Sequence, residues 1–119
     1  MAISGGILGS IEGTTTTYKT LYKPASGVLA VVSLSALNRS AATKTIRISI
    51  TQDAGSDPTP IDGDFLVYNT TLAAAGDTNG KDKLSISSIV LNGTNNDQLV
   101  VYTSGVDVDF SCSGVTETI

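Results

Sequence analysis

The chain has 119 residues, a formal net charge of −4, one cysteine and neither histidine nor tryptophan. That length fits a single domain, and the acidic balance repels nucleic acid rather than drawing it in. Without histidine the chain cannot build a Ser-His-Asp triad, a Cys-His pair or a His-ligated zinc site, and one cysteine leaves no internal disulfide.

The residue types favour strands. Ser and Thr supply 30 of the 119 residues, only two are Glu, and charged residues make up 15%, whereas long helices want Ala, Leu, Glu, Lys and Arg together. The expected fold is all-β, a small antiparallel sandwich of about eight strands, jelly-roll or Ig-like, forming one domain over residues 1–119. Low charge combined with a mean hydropathy of +0.17 points to a surface partly covered by partners.

Residues 1–13 are read as an N-terminal arm or edge strand, its glycines making the Ile3–Glu12 strand irregular. Thr14–Lys23 is β-branched and aromatic, and Pro24 ends it. Gly27–Thr51 carries the clearest signal. Ile46, Ile48 and Ile50 alternate with Thr45, Arg47, Ser49 and Thr51, the period of a strand with one apolar face. Val28–Leu37 is a second strand, and the patch Asn38-Arg39-Ser40-Ala41-Ala42 between the two predicts an antiparallel hairpin.

Gln52–Asp64 reads as a surface loop rich in proline, glycine and aspartate. Asp64–Leu72 is the fifth strand, and Asn79-Gly80 sits in the turn that follows. Lys83–Asn92 is a strand whose apolar phase shifts from Leu84 and Ile86 to Ile89 and Leu91, predicting a bulge near Ser87-Ser88. Gln98–Thr103 and Val106–Cys112, joined through Ser104-Gly105, predict a second hairpin.

No catalytic, cofactor-binding or metal residue is assigned, and the chain is read as no enzyme. Cys112 falls on the apolar face of the last strand and reads as a core residue. Asp53, Asp57, Asp62 and Asp64 could offer oxygens to calcium, but their spacing matches no EF-hand and they read as solvated loop groups. Asp107 and Asp109 read as charges that protect a sheet edge. The sequons at Asn38, Asn69 and Asn92 follow from composition. Tyr18, Tyr22, Tyr68 and Tyr102 could stack on sugar rings, against a default of half-buried packing. No apolar run is long enough to span a bilayer, and MAISGGILGSIEG lacks the basic start and long apolar core of a secretory leader.

Three stretches resemble a known group. Leu21-Tyr22-Lys23-Pro24-Ala25-Ser26-Gly27 with the run to Thr51, then Phe65–Ala74, then Leu99–Ser104 with Val106-Asp107-Val108 are similar, in order, to segments of small virion proteins of tailed bacteriophages, particularly those of marine and cyanobacterial hosts. The glycine-rich start and the ending SCSGVTETI depart from that group. The resemblance implies a virion structural protein assembled in the host cytoplasm, a capsid decoration or cement protein, with a tail, baseplate, neck or fibre component as the alternative. Its implied partners are other virion proteins, the major capsid protein or tail and baseplate proteins, and further copies of itself. Neither nucleic acid nor membrane is implied. ILGSI and VTETI have the character to add onto a neighbour's sheet. A carbohydrate-binding adhesin using Tyr18, Tyr22 or Tyr68 is the competing class, and a hydrolase built on aspartates such as Asp62 and Asp64 the third.

Overall fold

Alternation of period two becomes strands, most regularly over Val28–Asn38, where every second residue from Ala30 to Asn38 is buried. The computed structural model describes residues 3–13, 17–52, 60, 63–77 and 80–119. Among these the strands are β1 (Ile3–Glu12), β2 (Lys19–Tyr22), β3 (Val28–Asn38), β4 (Lys44–Thr51), β5 (Phe65–Leu72), β6 (Lys83–Asn92), β7 (Gln98–Thr103) and β8 (Val108–Thr118), with one 3-10 turn at Gly93–Asn95. In β3 the residues Ala30, Val32, Leu34 and Ala36 are buried while Val31, Ser33 and Leu37 are exposed.

All pairings are antiparallel and form two four-stranded sheets, one ordered β1-β8-β3-β6 and the other β2-β7-β4-β5. That order is the jelly roll, two Greek keys laid face to face. It differs from the immunoglobulin arrangement, in which the sheets hold strands ABED and CFG. Between the sheets lie Phe110, Leu34, Ile46, Ile48, Leu91, Leu99 and Val101, each at most 1% exposed. Each such side chain contributes about 1.5–3 kcal/mol by leaving water. Cys112 joins this core, and burial pushes its thiol pKa up.

Both expected hairpins are corners instead. β3 pairs with β6 and β8, and β4 with β5 and β7, so the chain crosses from one sheet to the other between Asn38 and Lys44. β7 and β8 likewise lie in different sheets. Alternation marks the face that meets the core; it does not say which strand lies alongside. Hydrogen bonds show what turns the first corner. Asn38 is fully buried, its Nδ2 donates to the carbonyls of Ala42 and Ala73, both at 2.9 Å, and its Oδ1 accepts from the Ser40 amide. The Asn38 and Arg39 amides donate to the carbonyls of Asp82 and Asp107. One asparagine therefore fastens the β3–β4 corner to the chain after β5, and the adjoining backbone ties in the approaches to β6 and β8.

The other differences are at the ends of strands. β2 opens at Lys19 rather than Thr14, and residues 14–16 lie outside the described residues. β8 opens at Val108, leaving Val106 exposed in the corner, and runs on to Thr118. Its end pairs with β1 on one side and β3 on the other, from Ile3↔Glu117 to Val28↔Thr118. VTETI is thus interior and cannot extend a neighbour's sheet, whereas β1 is a sheet edge. Asp107 and Asp109 consequently protect no edge: Arg39 Nε donates to Asp109 at 2.6 Å and the same guanidinium lies 3.4 Å from Glu12 and 3.9 Å from Asp107. The bulge in β6 is where the phase shift predicts it, with Ser88 at φ 61 and the register against β3 slipping between Val32 and Leu34. In β1 the register slips between Ile7 and Gly9, and a Cβ at Gly9 would run into the Leu21 carbonyl, so the close approach of β1 to β2 requires glycine there.

Candidate functional site

A sandwich has two outer faces, and here they differ in chemistry. On the β1-β8-β3-β6 sheet the registers align Ser10, Ser111, Ser35 and Ser85 in one row across four strands, with Ser35 and Ser111 hydroxyls 2.9 Å apart. Two residues along, Ser113 and Ser33 pair beside Ile7, and beyond them Val115, Val31 and Val90 stand directly opposite one another. These rows carry no charge. Ile7 is 81% exposed and the three valines 45–54%, giving a contiguous small-residue surface with an apolar strip and a shallow depression of about 440 Å³ between Ile7, Ser33 and Ser85. Among the described residues the charged groups of this face stand at its borders, Glu12, Asp109, Arg39 and Lys83 at one end and Glu117 at the other.

The β2-β7-β4-β5 sheet is covered by aromatic rings. Arg47 faces Tyr102 across the β4–β7 ladder, on the side of β4 opposite the buried isoleucines. Its guanidinium lies 4.4 Å from the Tyr68 ring centroid and 4.6 Å from that of Tyr102, cation–π distances. Nε donates to Asn69 Oδ1 at 2.7 Å and Nη1 to the Tyr18 hydroxyl at 2.8 Å. The hydrogen bond to Tyr18 raises the Arg47 pKa, burial opposing it. Tyr18 packs on Tyr102 at 4.9 Å, and Phe65 meets Tyr68 edge to face at 4.9 Å.

Local backbone explains how adjacent residues reach one cluster. Asn69 sits at φ 52, a left-handed conformation that asparagine tolerates. It breaks the alternation of β5, and the register against β4 slips between Ile46 and Ile48. Asn69 can therefore reach Arg47 alongside Tyr68.

Part of this face is closed over. Tyr18 leads into β2 and Phe65 opens β5, the two edge strands, yet their rings approach to 6.4 Å. Edge strands of a four-stranded sheet lie about 14 Å apart, so the rings must arch over β7 and β4. This accounts for Val100 and Ser49, 0% and 1% exposed although they alternate with core residues and point away from the core. Ser49 Oγ has no hydrogen-bond partner among the described residues, nor does Nε2 of buried Gln98, whose Oε1 accepts from Thr20.

The structure thus brings together Tyr18, Tyr68 and Tyr102 and adds Phe65, Arg47 and Asn69, which the sequence reading passed over. Arg47 had a visible signal, a lone cation opposite an isoleucine face. Tyr22 stands apart, half-buried against the core, its phenol pKa raised by burial and then by Cys112. Asp53, Asp57 and Asp62 lie outside the described residues, and Asp64 has a partner. Of the sequons, Asn38 is buried with its amide engaged, Asn69 serves Arg47, and Asn92 Oδ1 caps the 3-10 turn by accepting from the Thr94 amide. Among the described residues no three Asp, Glu or Cys side chains converge to hold a metal ion, and no helix is long and apolar enough to cross a membrane. The two outer faces thus differ in chemistry: one is uncharged between its borders, the other aromatic around a tethered guanidinium. Comparison with family models, curated proteins and solved structures returned no match.

Proposed function

We propose that the chain is a non-enzymatic structural protein of a phage virion, a decoration or cement module that stabilises a head shell; a tail, baseplate, neck or fibre position is the alternative. The observation that carries the reading is the uncharged outer face of the β1-β8-β3-β6 sheet, where Val31, Val90, Val115 and Ile7 stand exposed beside rows of serine. A flat face of small side chains lets another surface approach closely without stripping water from charges. Many copies on a lattice would make weak individual contacts effective together. Jelly rolls occur in capsid proteins and in lectins, and the resemblance of the Leu21–Thr51 stretch to phage virion proteins favours the former.

The test compares particles assembled with and without the chain, scoring survival after heat and osmotic shock and locating its density by electron microscopy. Copies bound across shell subunits and fragile particles in their absence are expected. Equally robust particles with the chain on the tail would move it to the alternative, and its absence from purified particles would overturn the reading.

A second reading, a carbohydrate-binding module, is favoured by one observation: Tyr18, Tyr68 and Tyr102, distant in sequence, gather on a single face.

A further inference from the structure

Arg47 makes no ion pair among the described residues. The chain is acidic overall, yet every ion pair among the described residues belongs to Arg39, which holds Glu12, Asp107 and Asp109. Arg47 is met instead by two phenol rings, a phenol hydroxyl and an amide oxygen. None of these is a carboxylate.

A guanidinium has five N–H donors. Two are used, Nε on Asn69 and one on Nη1 toward Tyr18, which leaves three without a protein acceptor among the described residues. The group is also fixed in place, stacked between Tyr68 and Tyr102 and tethered at two nitrogens. A ligand would therefore meet a fork that is already oriented, and orienting costs are what usually weaken binding to long side chains.

We propose that this platform binds a carboxylate-bearing saccharide, the planar carboxylate taken by the Arg47 fork and the sugar's C–H face resting on the Tyr68 ring. The inference rests on the second reading above and adds the ligand's charge. Tyr68 is 56% exposed; Arg47 covers one face of its ring and Phe65 meets it edge to face, so the sugar would rest on the part of the ring those two leave open. The side-chain nitrogen of Asn69, whose oxygen is committed to Arg47, is a donor suited to a ring hydroxyl. One fixed cation matches one carboxylate; a phosphate polymer needs several cations along its length.

The experiment uses the full 119-residue protein and isothermal titration with two probes of identical ring chemistry: tetragalacturonate and its fully methyl-esterified form. Tyrosine fluorescence gives a second readout, since the protein has no tryptophan. The acidic probe is expected to bind at least tenfold more tightly than the ester, and to weaken as salt screens the charge. Arg47→Gln and Arg47→Lys should each lose at least tenfold, because a lysine cannot offer the fork. Tyr68→Ala should lose a comparable amount without unfolding the protein. Lys83→Gln, which removes a cation from the opposite sheet, should change nothing. Equal binding of acid and ester would overturn the proposal and leave the carbohydrate reading standing. Binding of neither would overturn both. Tighter binding of an acidic peptide than of tetragalacturonate would overturn the proposal in favour of a protein ligand.

Discussion

Asn38 is the side chain whose removal tests how this chain turns from one sheet to the other. It is fully buried and makes three hydrogen bonds, to Ala42 O, to Ala73 O and from Ser40 N. Asn38→Ala deletes all three and leaves their partners to find water. Ala42 is exposed and Ser40 and Ala73 half-buried, so water can reach them, and the loss per bond belongs near 1 kcal/mol rather than at the upper end. The expected total is about 3 kcal/mol, which at this chain length lowers Tm by about 12 °C. Urea unfolding followed by far-ultraviolet circular dichroism measures it directly. Asn38→Asp adds a signature that simple loss of packing would not give. It is isosteric, but sets a carboxylate against two carbonyl oxygens in a buried site, which raises the folded-state pKa. A raised carboxyl pKa means stability that is present below the unfolded value of about 3.9 and lost as pH rises through the folded one. Relative to wild type, Asn38→Asp should therefore be weakest at neutral pH and recover toward pH 4. A cost below about 1 kcal/mol for Asn38→Ala, or no pH dependence for Asn38→Asp, would refute the corner's dependence on this amide.

Two further outcomes follow from buried groups elsewhere. Ser49 Oγ is desolvated beneath the Tyr18–Phe65 arch with no partner among the described residues, so Ser49→Ala should raise stability by up to about 1 kcal/mol; a loss of that size in urea titration would mean the hydroxyl has an acceptor. Cys112 and Tyr22 both have raised pKa values, burial being the first cause in each. Folded protein thus holds these protons more tightly than unfolded protein, the stability they contribute is complete below the ordinary thiol range of about 8.5, and it is lost as pH climbs through the folded values. Alkaline unfolding midpoints should fall above that pH and fall less steeply in Cys112→Ala; identical slopes would rule the thiol out.

The strands of this protein are legible in its sequence, and their partners are not. Leu84 and Ile86 giving way to Ile89 and Leu91 mark the β6 bulge to within a residue, because a one-residue slip moves every side chain to the other face. Ile46 and Ile48 announce their inward face in the same way. Alternation is silent about neighbours: of the six ladders, only β4–β5 joins strands consecutive in sequence, and the two short connections that look like hairpins lead across the sandwich. The reason is local in each case. Asn38 spends its amide on the corner, and Thr103 Oγ1 does the same at the second by bonding to Gly105 O. The aromatic platform was hidden for the opposite reason. Tyr18, Arg47, Tyr68 and Tyr102 come from four separate segments, and only the registers of β7, β4 and β5, with the left-handed turn at Asn69, set them side by side.

The jelly roll places the uncharged face and the aromatic face back to back, separated by one core about 10 Å thick. A module docked through the β1-β8-β3-β6 sheet therefore presents Arg47 and Tyr68 outward, and the two roles can be separated by mutation. Val31 is 45% exposed and points away from the core, so Val31→Asp should cost the fold no more than about 1 kcal/mol. It would place an unpaired charge at the centre of the proposed docking strip, where leaving water carries a penalty of several kcal/mol. Occupancy on assembled particles should collapse in Val31→Asp while affinity for tetragalacturonate stays at the wild-type value. Arg47→Gln should do the reverse. Because the two positions share no partner, their effects should add in the double variant. A Val31→Asp protein that loses the saccharide, or an Arg47→Gln protein that leaves the particle, would mean that one face serves both purposes, and the division of labour between the sheets would fall.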